Sequence, residues 1–62
     1  MNEPEIKEYL KGTKFRLIRI TRFANHDRIA VEDDSCRLTW TMRKHVEDYP
    51  ISEFARMVRA HE

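Results

Sequence analysis

The chain has little of what small proteins use for chemistry or for covalent support. Its single cysteine, Cys36, excludes an internal disulfide. Its histidines and cysteine show none of the spacings that hold structural zinc. One glycine, Gly12, excludes a glycine-rich phosphate loop. No apolar run exceeds the three residues Ile29-Ala30-Val31, so neither a membrane-spanning helix nor a signal-peptide core is encoded.

With 62 residues the chain has room for one domain, residues 1–62. A domain this small buries only about 60% of its unfolded surface. Without disulfide or metal, association is the remaining common support, and a homodimer is expected. The unpaired thiol fits a reducing compartment, so a cytoplasmic location is expected.

Catalytic constellations fail one by one. A nucleophile would have to be Cys36, with His26 or His45 as base. Cys36 shares strand phase with Leu38 and Trp40, which predicts a small core residue rather than an electropositive, part-exposed thiol. His26, Asp27, Cys36, His45 and His61 form no ligand pattern, and Glu32-Asp33-Asp34 lacks the glycine and alternating oxygens of a calcium loop. The three acids read as a solvated turn. His26, His45 and His61 read as exposed loop or terminal residues. No catalytic residue, metal or cofactor is therefore expected, and the chain reads as a non-enzyme.

What is present is charge, unevenly placed on a net of +1. Residues 13–31 carry five basic side chains against Asp27, and residues 35–45 carry three more with no acid. The acids gather near the two ends and in the 32–34 run.

The periodicity predicts an α+β domain in the order α-β-β-β-α. A helix over 3–11 has Asn2 as N-cap with Glu5 three residues on, Pro4 in the first turn, and Ile6, Tyr9 and Leu10 on one face. Gly12 is placed to end it in a left-handed conformation. Strands are predicted over 14–23, 28–32 and 36–42, with the alternation slipping at Leu17-Ile18, where a bulge or a doubly covered strand is implied. Short polar loops favour an antiparallel meander. A two-residue turn at Asp33-Asp34 pairs Val31 with Cys36 and Ile29 with Leu38. A four-residue loop at 23–26 pairs Ile18 with Val31, Ile20 with Ile29 and Arg22 with Asp27. A final helix over about 49–60, capped by Asp48, carries the stripe Ile51, Phe54, Ala55, Val58. It should cover the face made by Ile18, Ile20, Ile29, Val31, Leu38 and Trp40.

The other sheet face then presents Arg19, Thr21, Arg28, Arg37, Thr39 and Thr41, with Phe15 and Phe23 at its margins and Arg43 and Lys44 close by. Arginine and aromatics are enriched at protein interfaces. The same groups can hold a phosphate backbone and stack bases. Near-neutral net charge favours a protein partner. The chain is therefore expected to be a small protein-binding regulator or inhibitor, of the kind phages and mobile elements encode, contacting a larger protein through Arg19, Phe23, Arg28, Arg37, Thr39, Arg43 and Lys44. Arg37 and Phe23 are the expected anchors. A small DNA- or RNA-binding regulator using the same face is the alternative. Phe15 and Leu17, on the slipped strand, are the expected dimer contact.

Overall fold

A computed structural model describes all 62 residues. The order is α1 (Glu3–Leu10), β1 (Arg16–Arg22), β2 (Asp27–Glu32), β3 (Arg37–Thr41), a 3-10 turn (Val46–Asp48) and α2 (Ile51–His61). The strands form one antiparallel sheet, β1-β2-β3. This is the α+β meander that the periodicity predicts.

Helix α1 starts as its sequence dictates. The Asn2 side chain accepts from the Glu5 N–H, and the Glu5 carboxylate accepts from the Asn2 N–H. Its end differs from expectation. No residue, Gly12 included, has a positive φ. The chain leaves the helix through Thr13 instead, whose hydroxyl donates to the Leu10 carbonyl and accepts from the Phe15 N–H. A methyl group at position 12 would meet nothing closer than the Tyr9 carbonyl oxygen, 3.9 Å away. Gly12→Ala is therefore expected to raise stability by about 0.4–1 kcal/mol, through lost freedom in the unfolded chain. A denaturant melt checks this, and a lower midpoint would restore the left-handed ending.

Register follows the hairpin loops. Phe23 N–H donates to the His26 carbonyl, closing the expected loop, and Ile20 faces Ile29 while Arg22 faces Asp27. The bulge falls between Leu17 and Arg19, so Leu17 rather than Ile18 stands opposite Val31. Leu17 packs on the core and Ile18 does not. The second hairpin differs by two residues: Val31 faces Leu38 and Ile29 faces Trp40. Here the Asp33 side chain shapes the turn, its Oδ1 accepting from the N–H groups of Ser35 and Cys36, both at 2.8 Å. The Ser35 N–H, then that of Cys36, hold the Asp33 carboxyl below its ordinary range. A two-residue shift keeps side chains on their faces, so the core face survives. Cys36, however, sits in the turn and is exposed, not buried.

Both helices pack on one side, where Ile6, Leu10, Phe15, Ile29, Val31, Trp40, Phe54 and Val58 are buried together. The rings interlock edge to face, with Trp40 against Phe15 at 5.9 Å and Phe54 at 5.6 Å, and Tyr9 against Phe54 at 5.9 Å. Tyr9 thus contacts α2. Phe15, expected at a dimer contact, is only 3% exposed, because α1 brings Ile6 and Leu10 over β1. With Leu17 also packed inward, the apolar surplus that argued for association through β1 is absorbed within the chain. Asp48 belongs to the 3-10 turn, and Pro50 is the N-cap of α2 without a side-chain cap bond. No helix is long and apolar enough to cross a membrane.

Candidate functional site

The antiparallel registers arrange the outer sheet face in three rungs. Arg16, Glu32 and Arg37 form the first. Ile18 and Arg19, opposite Ala30 and Thr39, form the second. Thr21, Arg28 and Thr41 form the third. No helix covers them, and Arg19, Thr21, Arg28, Arg37, Thr39 and Thr41 are exposed.

The first rung is electrostatically spent. Glu32 lies 3.9 Å from Arg16 and 3.6 Å from Arg37, and Arg16 also reaches Asp34 at 3.3 Å. Arg37, the expected central anchor, is the first residue of β3 and 79% exposed. An exposed, shared ion pair of this kind contributes little.

The free charge lies at the other end. Arg19, Arg28, Arg43 and Lys44 enter none of the ion pairs. Phe23, the one exposed large hydrophobic residue at 38%, stacks on His26 with ring centroids 4.7 Å apart and planes 8° from parallel. The Arg28 guanidinium lies 5.1 Å from the Phe23 centroid. Phe23, His26 and Arg28 thus make a cation–aromatic group at the β1–β2 hairpin. Arg43 lies in the bend just after β3. Its N–H donates to the Tyr49 hydroxyl at 3.0 Å. Lys44 is drawn over the Tyr49 ring instead, 5.0 Å from its centroid. Of the expected contact residues, Arg19, Phe23, Arg28 and Thr39 are exposed on or beside the outer rungs, and Arg43 lies in the bend after β3. Arg37 is tied to Glu32, and Lys44 lies against Tyr49.

Behind this end lies a feature the sequence reading largely missed. Asp27 is wholly buried. Its Oδ1 accepts from Arg22 Nε at 3.1 Å and His45 Nδ1 at 3.0 Å, and its Oδ2 from Arg22 Nη2 at 3.0 Å and the Val46 N–H at 2.9 Å. Arg22 also pairs with Glu47. The Arg22 hydrogen bonds, then the Val46 N–H and His45, hold the Asp27 carboxyl far below its usual range against the opposing effect of burial. The same acids, Asp27 first, hold the Arg22 guanidinium firmly protonated. His45 is thus part of a buried network rather than a free loop residue. The Arg22–Asp27 pairing was legible, but no local pattern shows that a loop 18 residues later closes over it. The Met1 ammonium, donating to the Val46 and Tyr49 carbonyls, fastens that loop from the other side.

No His, Cys, Asp or Glu side chains converge in groups of three or more that could hold a metal ion. The chain matches no protein-family model, no curated protein and no solved structure.

Proposed function

We propose that the protein is a small non-catalytic regulator or inhibitor that binds a larger protein through the outer sheet face. The reading rests on one observation: both helices pack on the opposite side, leaving a face whose cations are all arginine. Interfaces are enriched in arginine and aromatics and depleted in lysine. Lys7 and Lys11 stand in or just after α1, and Lys14 is held by Asp33 at 3.8 Å, beside the first rung. Ile18 and Ala30 give the face an apolar middle, with Arg19, Arg28 and Phe23 around it. Arg28 replaces Arg37 beside Phe23 as the expected anchor, since no acid neutralises it. Truncating an anchor should cost about 2 kcal/mol or more of binding.

The Phe23–His26 stack beside Arg28 also suits a nucleic acid, and the two readings separate by salt. If Arg19, Arg28 and Arg43 each neutralised one phosphate, affinity would fall about 40-fold between roughly 50 and 200 mM salt. An anisotropy titration with mixed DNA and RNA pools at both salts is expected to show no saturable binding. Tight, salt-steep binding that weakens in Arg28→Ala would replace the protein-binding reading with the nucleic-acid one.

A further inference from the structure

We propose that the free edge of β3 pairs antiparallel with the β3 edge of a second copy of this chain, about a two-fold axis at Thr39, making a continuous six-stranded sheet.

Both edges of the sheet are open in the order β1-β2-β3, but they are not equivalent. β1 carries a bulge between Leu17 and Arg19 and three arginines, Arg16, Arg19 and Arg22. Bulges and charge blunt an edge, and antiparallel self-pairing of β1 would set arginine against arginine. β3 is Arg-Leu-Thr-Trp-Thr, with no proline, lysine or bulge and one charged residue. Apart from Arg37 at its first position, it has none of the devices that protect an edge.

The ladder shows which backbone groups are free. Met42 N–H donates to the Asp27 carbonyl and Asp33 N–H to the Cys36 carbonyl, so the even-numbered residues of β3 bond toward β2. By antiparallel alternation the N–H and C=O groups of Arg37, Thr39 and Thr41 point outward. No side chain bonds to them. They form three consecutive donor–acceptor positions, symmetric about Thr39.

A two-fold at Thr39 gives a self-consistent register. Thr39 faces Thr39 of the second copy. Arg37 faces Thr41, so no like charges oppose. On the inner face Leu38, half-buried here, meets Trp40 of the second copy in the closer, non-hydrogen-bonded pairing. Beyond the strand ends the same register sets Asp34 toward Lys44 and Ser35 toward Arg43. Asp34 is 98% exposed, and Arg43 and Lys44 have no acidic partner in their own chain. The turn before β3 is acidic and the bend after it basic, so the two-fold brings opposite charges together at both ends. A five-residue edge buries less than a standard interface of about 1,600 Å², so the dimer dissociates on dilution. This pairing lies on the sheet edge and does not depend on what the outer face binds.

Cysteine crosslinking tests it. In a Cys36→Ser background, Thr39→Cys places two thiols on residues about 5.5 Å apart at Cα, within disulfide reach. Air oxidation is expected to give a covalent dimer from this variant and not from Thr21→Cys, which lies on the outer face of β1. Light scattering of the unmodified chain is expected to show a monomer–dimer equilibrium. Thr39→Lys, at an exposed position the fold tolerates, should weaken association about fivefold or more by opposing two like charges. A chain that stays monomeric at its highest soluble concentration overturns the proposal. Equal crosslinking through Thr21→Cys, or a dimer that Thr39→Lys leaves unchanged, does so as well.

Discussion

Asp27→Ala is expected to remove about 1–3 kcal/mol of stability, the cost of leaving buried donors without their acceptor. At roughly 0.05–0.15 kcal/mol per residue, a domain of this size has about 3–9 kcal/mol in all. The variant should therefore lose a large share of its stability. The size of the effect comes from what is left behind. The buried Val46 N–H loses its acceptor, as does His45 Nδ1, while Arg22, whose side chain is 55% exposed, keeps Glu47 and water. Asp27→Asn should be milder, because its amide oxygen can still accept from Val46. Guanidinium unfolding of the three proteins measures this. A loss below about 1 kcal/mol, the range of an exposed pair, would mean that the network carries no structural weight.

The same residue sets the acid limit. The Asp27 carboxyl is depressed in the folded state from an ordinary value of 3.8. Its contribution is thus fully present above that value and is lost as pH falls below it, through the folded value. Asp33 and Glu47 are shifted in the same direction and add to the trend. Stability should fall steeply below about pH 4 in the unmodified chain and more gently in Asp27→Asn.

Trp40→Ala is expected to cost a further about 3–5 kcal/mol by emptying the centre of the core. Trp40 is 7% exposed and touches the rings of Phe15, Phe54 and His61, so it joins the β1 approach, α2 and the C-terminal turn. Its indole N–H is buried without an acceptor. A buried donor with no partner is itself unfavourable. Trp40→Phe should therefore cost less than half of what Trp40→Ala does, since it removes the orphan donor along with the volume. Equal losses from the two substitutions would show that the ring's contacts, as described, do not hold the core.

Most of the architecture could be read from local signals. The Asn2/Glu5 box, the Ile51/Phe54/Ala55/Val58 stripe and the alternation around Leu38 and Trp40 each specify their element without help from distant residues. The errors lie where two local readings were nearly equal or where tertiary contact decided. Leu17 and Ile18 are both apolar, so the sequence marks a slip without saying which residue the bulge turns outward. The Asp33-Asp34-Ser35 turn hinges on a side chain substituting for a backbone acceptor, which moved the register by two and exposed Cys36. Phe15 lies just before β1, and only the placement of α1 shows that it points into the core. Asp27 reads as an ordinary hairpin acid beside Arg22, while His45 and Val46 arrive from a loop with no pattern of its own. The candidate face was legible as a set of phases. Which of its arginines are free depended on Glu32, whose ion pairs follow from the register.

The central claim is that the uncovered sheet face is the contact surface for a protein, and site-specific photocrosslinking tests it most directly. A photoreactive residue at Thr21 probes the outer face without touching the β3 edge, and one at Ser52 probes the exposed side of α2. In cells or extract of the natural host, the Thr21 probe is expected to give one nuclease-resistant protein adduct larger than a dimer of this chain. That adduct should be lost in Arg28→Ala, and the Ser52 probe should give none. Adducts from Ser52 but not Thr21, or nuclease-sensitive adducts from Thr21, would contradict the account.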